Sequence, residues 1–227
     1  MYEVLMDIYY RLYSHFGPRH WWPADTPFEM IVGAILTQNV SWQSAAAAIE
    51  NLKAAGLLSP AALLSLPEED LAKLVRPARY YVQKARKLHA FCRVLEEECG
   101  GDLQAFLAAD TQTLRRRLLG IWGIGPETAD AIILYAAHRP VFVIDAYTHR
   151  IFNRLGFFGS KMSYDAMQRF FMQHLPPDVA LYNEYHAQID ALGHTTCLKN
   201  RPHCTRCPLR DVCSFFKPTL REVAEIG

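Results

Sequence analysis

Four cysteines within seventeen residues, in CLKNRPHCTRCPLRDVC from Cys197 to Cys213, restrict this chain more than any other feature. Six, two and five residues separate them. Thiols at such short spacing in a tight loop all reach one metal centre, and four-cysteine sites hold zinc or iron–sulfur clusters. Structural zinc sites usually pair two short knuckles across a longer span. Here a single Cys-x-x-Cys, Cys204 and Cys207, stands between two lone cysteines. That asymmetry favours an iron–sulfur cluster on Cys197, Cys204, Cys207 and Cys213, with zinc as the alternative and four unliganded thiols as the bland one. Lys199, Arg201, Arg206 and Arg210 fall in the same loop, so whatever folds it also displays cations.

The rest of the chain reads as helix after helix. VLMDIYYRLYSHF, PFEMIVGAILTQN, SWQSAAAAIENLKAAG and VQKARKLHAFCRVLEEE all carry apolar residues at helical spacing and end at glycine or polar stops. SPAALLSL and PEEDLAKLV each place a proline where a first turn tolerates it. The strand-like run VFVI, residues 141–144, has nothing nearby to pair with and reads as an extended connector. The expected fold class is all-α, with 227 residues and 51% apolar content giving room for a substantial core. Neither a signal peptide nor an apolar run near the ~20 residues of a membrane span is present, which points to the cytosol. The net charge of +1 leaves a local basic patch open. Arg115-Arg116-Arg117 and Lys84-Arg86-Lys87 read as solvated helix faces, and Cys92 and Cys99 as inert thiols.

LLGIWGIGPETADAIILY, residues 118–135, joins two helices through Gly123-Ile124-Gly125. Glycines at both ends of a tight turn permit positive φ and leave N–H groups uncovered, and the helix opening at Pro126 adds its own free N–H groups. Phosphate docks on such a turn whatever the base sequence. Downstream, Asp145 stands between VFVI and the helix AYTHRIFNRLG, an N-cap position.

The cysteine spacing and GIGPETAD followed by VID resemble the endonuclease III-like, helix–hairpin–helix (HhH-GPD) DNA glycosylases. The resemblance runs over residues 20–215. It implies a two-lobed fold: a helical barrel over residues 24–140 containing the hairpin, and a cluster lobe from residues 1–23 plus 141–227. DNA is expected across the cleft, with Asp145 as the catalytic carboxylate. The resemblance further implies a 4Fe–4S cluster, with Lys199 and Arg201 presented to the DNA backbone beside Gly123, Ile124, Gly125 and Thr128. Gln38, in the polar break TQN, is expected to fill the gap left by the flipped nucleotide.

Bifunctional members carry a lysine in the hairpin helix, where this chain has Glu127. A carboxylate forms no Schiff base, so base release without strand cleavage is expected. The pattern WWP, GAILTQN and a following Trp, together with VRPARYYVQKARKL, is most similar to the 3-methyladenine glycosylases of endonuclease III type. Trp21, Trp22 and Trp42 are then the candidates to stack on a cationic methylated purine. The adenine glycosylase branch uses a glutamate where Gly33 stands here. Removal of uracil or oxidised pyrimidines, an added lyase activity, and a non-catalytic DNA-binding or redox module remain as alternatives. The implied partner is double-stranded DNA with a damaged base, met by a monomer, in the cytoplasm or at a prokaryotic nucleoid.

Overall fold

The computed structural model describes residues 1–216; residues 217–227, which the sequence groups with the cluster lobe, lie outside the described residues. Every regular element among the described residues is helical. The chain divides into two compact units, residues 1–21 with those from 142 onward, and residues 22–141.

In the first unit, α1 (Tyr2–Phe16) and α10 (Ala146–Leu155) both pack on α12 (Val179–Thr195). Leu5, Ile8 and Leu12 recur at helical spacing and turn one face of α1 into the core. Phe142 stacks on Phe171 of α11 (Tyr164–His174) with centroids 4.0 Å apart, and Phe152 of α10 meets Phe171 edge-on at 4.7 Å. The fully buried Tyr185 donates its hydroxyl to Leu5 O at 2.7 Å. The VFVI segment is extended and buried with no strand beside it among the described residues. Side chains take over the missing ladder: Gln168 Nε2 donates to Phe142 O at 2.8 Å, and Ile144 N–H donates to the Tyr164 hydroxyl at 3.4 Å.

The second unit is built around α2 (Pro27–Leu36), buried at every position from Phe28 to Leu36. Thr26 caps it by accepting from Glu29 N–H at 3.1 Å. Around it lie α3 (Trp42–Ala54), α6 (Tyr81–Cys99), α9 (Pro126–Ala131) and a π-helical turn, Ile132–Ala136, that periodicity did not foretell. The short helices α4 (Pro60–Ser65) and α5 (Glu68–Leu74) pack on α6, followed by α7 (Leu103–Ala108) and α8 (Thr111–Gly120). Pro60 opens α4 as expected; Pro67 instead stands at the N-cap of α5, one place before the first turn.

The basic cluster on α6 departs from a solvated face. Arg86 is exposed and pairs with Glu68 at 2.8 Å. Lys84 is only 2% exposed, and its ammonium donates to Leu36 O at 2.7 Å and Ala78 O at 2.6 Å. It closes the C-terminal end of α2 and pins the following turn. Arg115 likewise makes a two-pronged bond, at 2.7 and 3.1 Å, to the fully buried Asp130. Cys92 is buried, and its thiol is pushed up to about 12, consistent with an inert role.

Burial, with the Lys87 charge adding, lowers the Lys84 amine to about 8. The unfolded chain therefore holds more protons than the folded one between about pH 8 and the ordinary lysine value, and this site's contribution to stability rises with pH across that window. Lys84→Met should lower the unfolding free energy by about 1–3 kcal/mol, because two buried carbonyls lose their donor. Urea denaturation of both proteins should show the gap widening as pH climbs through the window; a pH-independent gap would contradict the assignment.

Candidate active site

Asp145 is the N-cap of α10. Its Oδ1 accepts from Thr148 N–H at 2.6 Å and from the Thr148 hydroxyl at 2.7 Å. Thr148 is fully buried, so these donors are rigid. Oδ2 faces His186 Nε2 of α12 at 3.8 Å, and the two side chains are only 12% and 11% exposed. The uncapped N–H groups of the first turn and the helix dipole favour a negative charge at this place.

The same helix grips the cysteine loop. Arg150 donates to Cys197 O and to Gly193 O, both at 2.9 Å. Arg154, one turn on, donates to Cys197 Sγ at 3.2 Å, Leu198 O at 2.8 Å and Lys199 O at 3.0 Å. Phe215 N–H returns to Arg154 O at 3.0 Å, and the Phe215 ring lies 4.7 Å from the guanidinium. Sequence reasoning missed both arginines; their spacing of four on the helix that opens at Asp145 was the available signal. With Lys199's carbonyl tied inward, its side chain and that of Arg201 stay exposed.

Cys197, Cys204, Cys207 and Cys213 line one small cavity of about 20 Å³, and none is in a disulfide. Burial pushes the Cys207 thiol up to about 11, with the neighbouring thiols adding; Cys204 is raised by burial and by Cys213 and Cys197. Four thiolates sharing such a space need a positive centre to hold them. Among the described residues no three His, Cys, Asp or Glu side chains converge enough for one ion.

In the second unit the turn between α8 and α9 is a tight hairpin. Gly123 has φ +87°, and a Cβ there would come within 2.4 Å of the Lys87 stem. Gly125 corrects the expectation of positive φ at both glycines: it is extended, at φ −95°, and forms the N-cap of α9. Ile124 is buried. Gln38 Nε2 donates to Gly123 O at 3.1 Å and to the buried Thr128 hydroxyl at 2.9 Å, while Lys87 Nζ donates to Gln38 Oε1. Burial lowers the Lys87 amine. The TQN turn and the hairpin thus form one hydrogen-bonded piece, with Thr128 turned inward and Glu127 outward.

Trp22 and Trp42 meet edge-on at 5.5 Å, and Trp22 meets Tyr135 of the π turn at 5.4 Å. They border an open recess of about 340 Å³ with Asp25, Glu29, Ile49 and Lys53. A Cβ at Gly33 would come within 3.0 Å of Trp22 Nε1, so the indole occupies the space a larger residue would need. Trp21 belongs to the first unit. An exposed aromatic that escaped sequence reasoning is Trp122, beside the hairpin; Tyr80, exposed within VRPARYYVQKARKL, adopts left-handed φ with Arg79 ahead of α6.

Residues 32–177 match the family described as HhH-GPD superfamily base excision DNA repair protein. This chain belongs to that family. A Methanocaldococcus jannaschii protein provisionally named a DNA repair glycosylase is 42% identical over 93% of this chain and 96% of its own length. An H. pylori 3-methyladenine DNA glycosylase, solved with 1,N6-ethenoadenine bound, superposes with TM-score 0.73 and 28% identity over 84% of this chain and 95% of that one. An endonuclease III–DNA complex superposes with TM-score 0.81 at 21% identity, over 95% of this chain and 96% of that one, and shows the shared all-α fold. As an HhH-GPD protein, the chain is a base excision repair DNA glycosylase. The family match contains both the hairpin and Asp145 and ends before the cysteine loop.

The hairpin makes a direct demand on its glycine. Gly123→Ala places a side chain in left-handed backbone and into the Lys87 stem, and should cost about 1–3 kcal/mol of stability in urea denaturation. Unchanged stability would mean that the turn relaxes to another geometry.

Proposed function

We propose that this glycosylase is monofunctional and removes an alkylated purine such as 3-methyladenine from double-stranded DNA, leaving an abasic site. The observation that carries the reading is the state of Asp145, with one oxygen locked by Thr148 and the other left for chemistry. Breaking an N-glycosidic bond builds positive charge on the sugar. A fixed anion stabilises that charge without reorganising at the moment of reaction, and orients or deprotonates the attacking water.

A methylated purine leaves as a neutral base from a cationic one, so little acid catalysis is required. The absence of an acid at Gly33, where Trp22 packs, agrees with such a substrate. So do Trp22 and Trp42, whose rings suit a flat, electron-poor base, and the ethenoadenine in the H. pylori relative. Trp21 is kept as a further stacking candidate. Glu127 at the hairpin's lysine position supports release without strand cleavage.

Cys197, Cys204, Cys207 and Cys213 would hold a 4Fe–4S cluster, which supplies a structural cross-link rather than a reacting group. Lys199 and Arg201, on the loop so folded, and the hairpin N–H groups near Gly123, Ile124 and Gly125 would meet phosphates. Gln38 would leave its hairpin partners to occupy the vacated stack. The working state is a monomer in the cytosol.

The test is a set of duplexes bearing 3-methyladenine, 7-methylguanine, uracil, an oxidised pyrimidine, or A opposite 8-oxoguanine. Methylated purines alone should be released, with strand breaks only after alkali. Asp145→Asn should slow release by about 100-fold or more while duplex binding survives. Release of uracil or oxidised pyrimidines alone would overturn the substrate, and borohydride trapping of a protein–DNA adduct would overturn the monofunctional reading. Purified protein should be brown with about four irons per chain; colourless protein with one zinc would remove the cluster.

A further inference from the structure

We propose that His186 is a positioning residue for Asp145, and that its protonation sets the acid limit of base release; this rests on the glycosylase reading above. Two helices make the pairing. Asp145 opens α10 and His186 lies on α12, and the helices approach closely because Gly193 has no side chain. A Cβ there would fall 2.5 Å from the Tyr147 ring. Arg150 then clamps Gly193 O at 2.9 Å. The result leaves Asp145 Oδ2, the oxygen Thr148 does not hold, 3.8 Å from His186 Nε2.

At that separation the two protonation states of the ring act differently. A neutral imidazole leaves the negative charge of Oδ2 directed at the sugar. A protonated imidazole pairs with Oδ2, draws it toward α12, and opposes the developing sugar cation. A charged ring at this place should therefore slow base release.

Other groups face the pair. On α10 they are Tyr147, whose hydroxyl is raised by burial and by the carboxylates of Asp190 and Asp145, and Arg150, already engaged with backbone carbonyls. On α12 it is Asp190, which in turn feels His194 and, after α1, Arg19. Asp190 lies one turn from His186. Burial raises its carboxyl, the His186 charge lowers it and the Asp145 charge raises it, so Asp190 is a second carboxylate that a protonated ring would feel.

The test compares wild type with His186→Gln in single-turnover release of 7-methylguanine from a duplex. Between about pH 8 and about pH 5.5 the ratio of variant to wild-type rate should rise by about tenfold. Affinity for a duplex with a tetrahydrofuran abasic analogue should not change. A variant that is slower at both pH values by the same factor would overturn the proposal, since a merely structural histidine predicts that result. Wild-type crystals provide a readout independent of activity: on transfer from about pH 8 to about pH 5.5, the gap should close to below about 3.2 Å. Closure without base release on any duplex would leave the pairing standing and sink the glycosylase substrate reading. Base release with an unchanged gap would sink the pairing alone.

Discussion

The contact on which the first unit depends is the packing of Tyr147 into the space beside Gly193. It lets α10 and α12 lie closer than side chains normally allow. Three things then hang on one helix. Its N-cap is Asp145, its second and last turns carry Arg150 and Arg154, and its C-terminal turn receives the chain returning after Cys213. The carboxylate and the cysteine loop are thereby fixed to the same rigid element.

That economy explains why so much backbone in the cysteine loop is satisfied by side chains. A short loop rich in cysteine and proline has only two 3-10 turns, Cys204–Arg206 and Arg210–Val212, to absorb its carbonyls. Arg150 and Arg154 take up Cys197 O, Leu198 O and Lys199 O, and Arg206 donates to Thr195 O at 3.0 Å. The guanidinium fork suits this work, presenting several donors in one plane. Lys199 and Arg201 are left outside, exposed.

The second unit solves the same problem with lysines. Lys84 substitutes for the hydrogen bonds that α2 lacks at its C-terminal end, and Lys87 reaches Gln38, which in turn holds the hairpin. Both amines are lowered by burial. Their cost in desolvation is offset by closing turns that contain Asn39, Arg79 and Gly123, all at left-handed φ.

The sequence by itself determined the all-α class, the hairpin, the N-cap at Asp145 and the grouping of four thiols. Each is a local matter of periodicity, capping or short spacing within one stretch of chain. Only the tertiary structure decided that Lys84 and Thr128 are inside, that Gly125 is extended while Gly123 is left-handed, and that Trp22 fills the space beside Gly33. It alone brought Arg150 and Arg154 to the cysteine loop, more than forty residues on, and His186 to Asp145. No periodicity records such pairings, because they depend on which helix faces touch, and that is set by packing between segments distant in the chain.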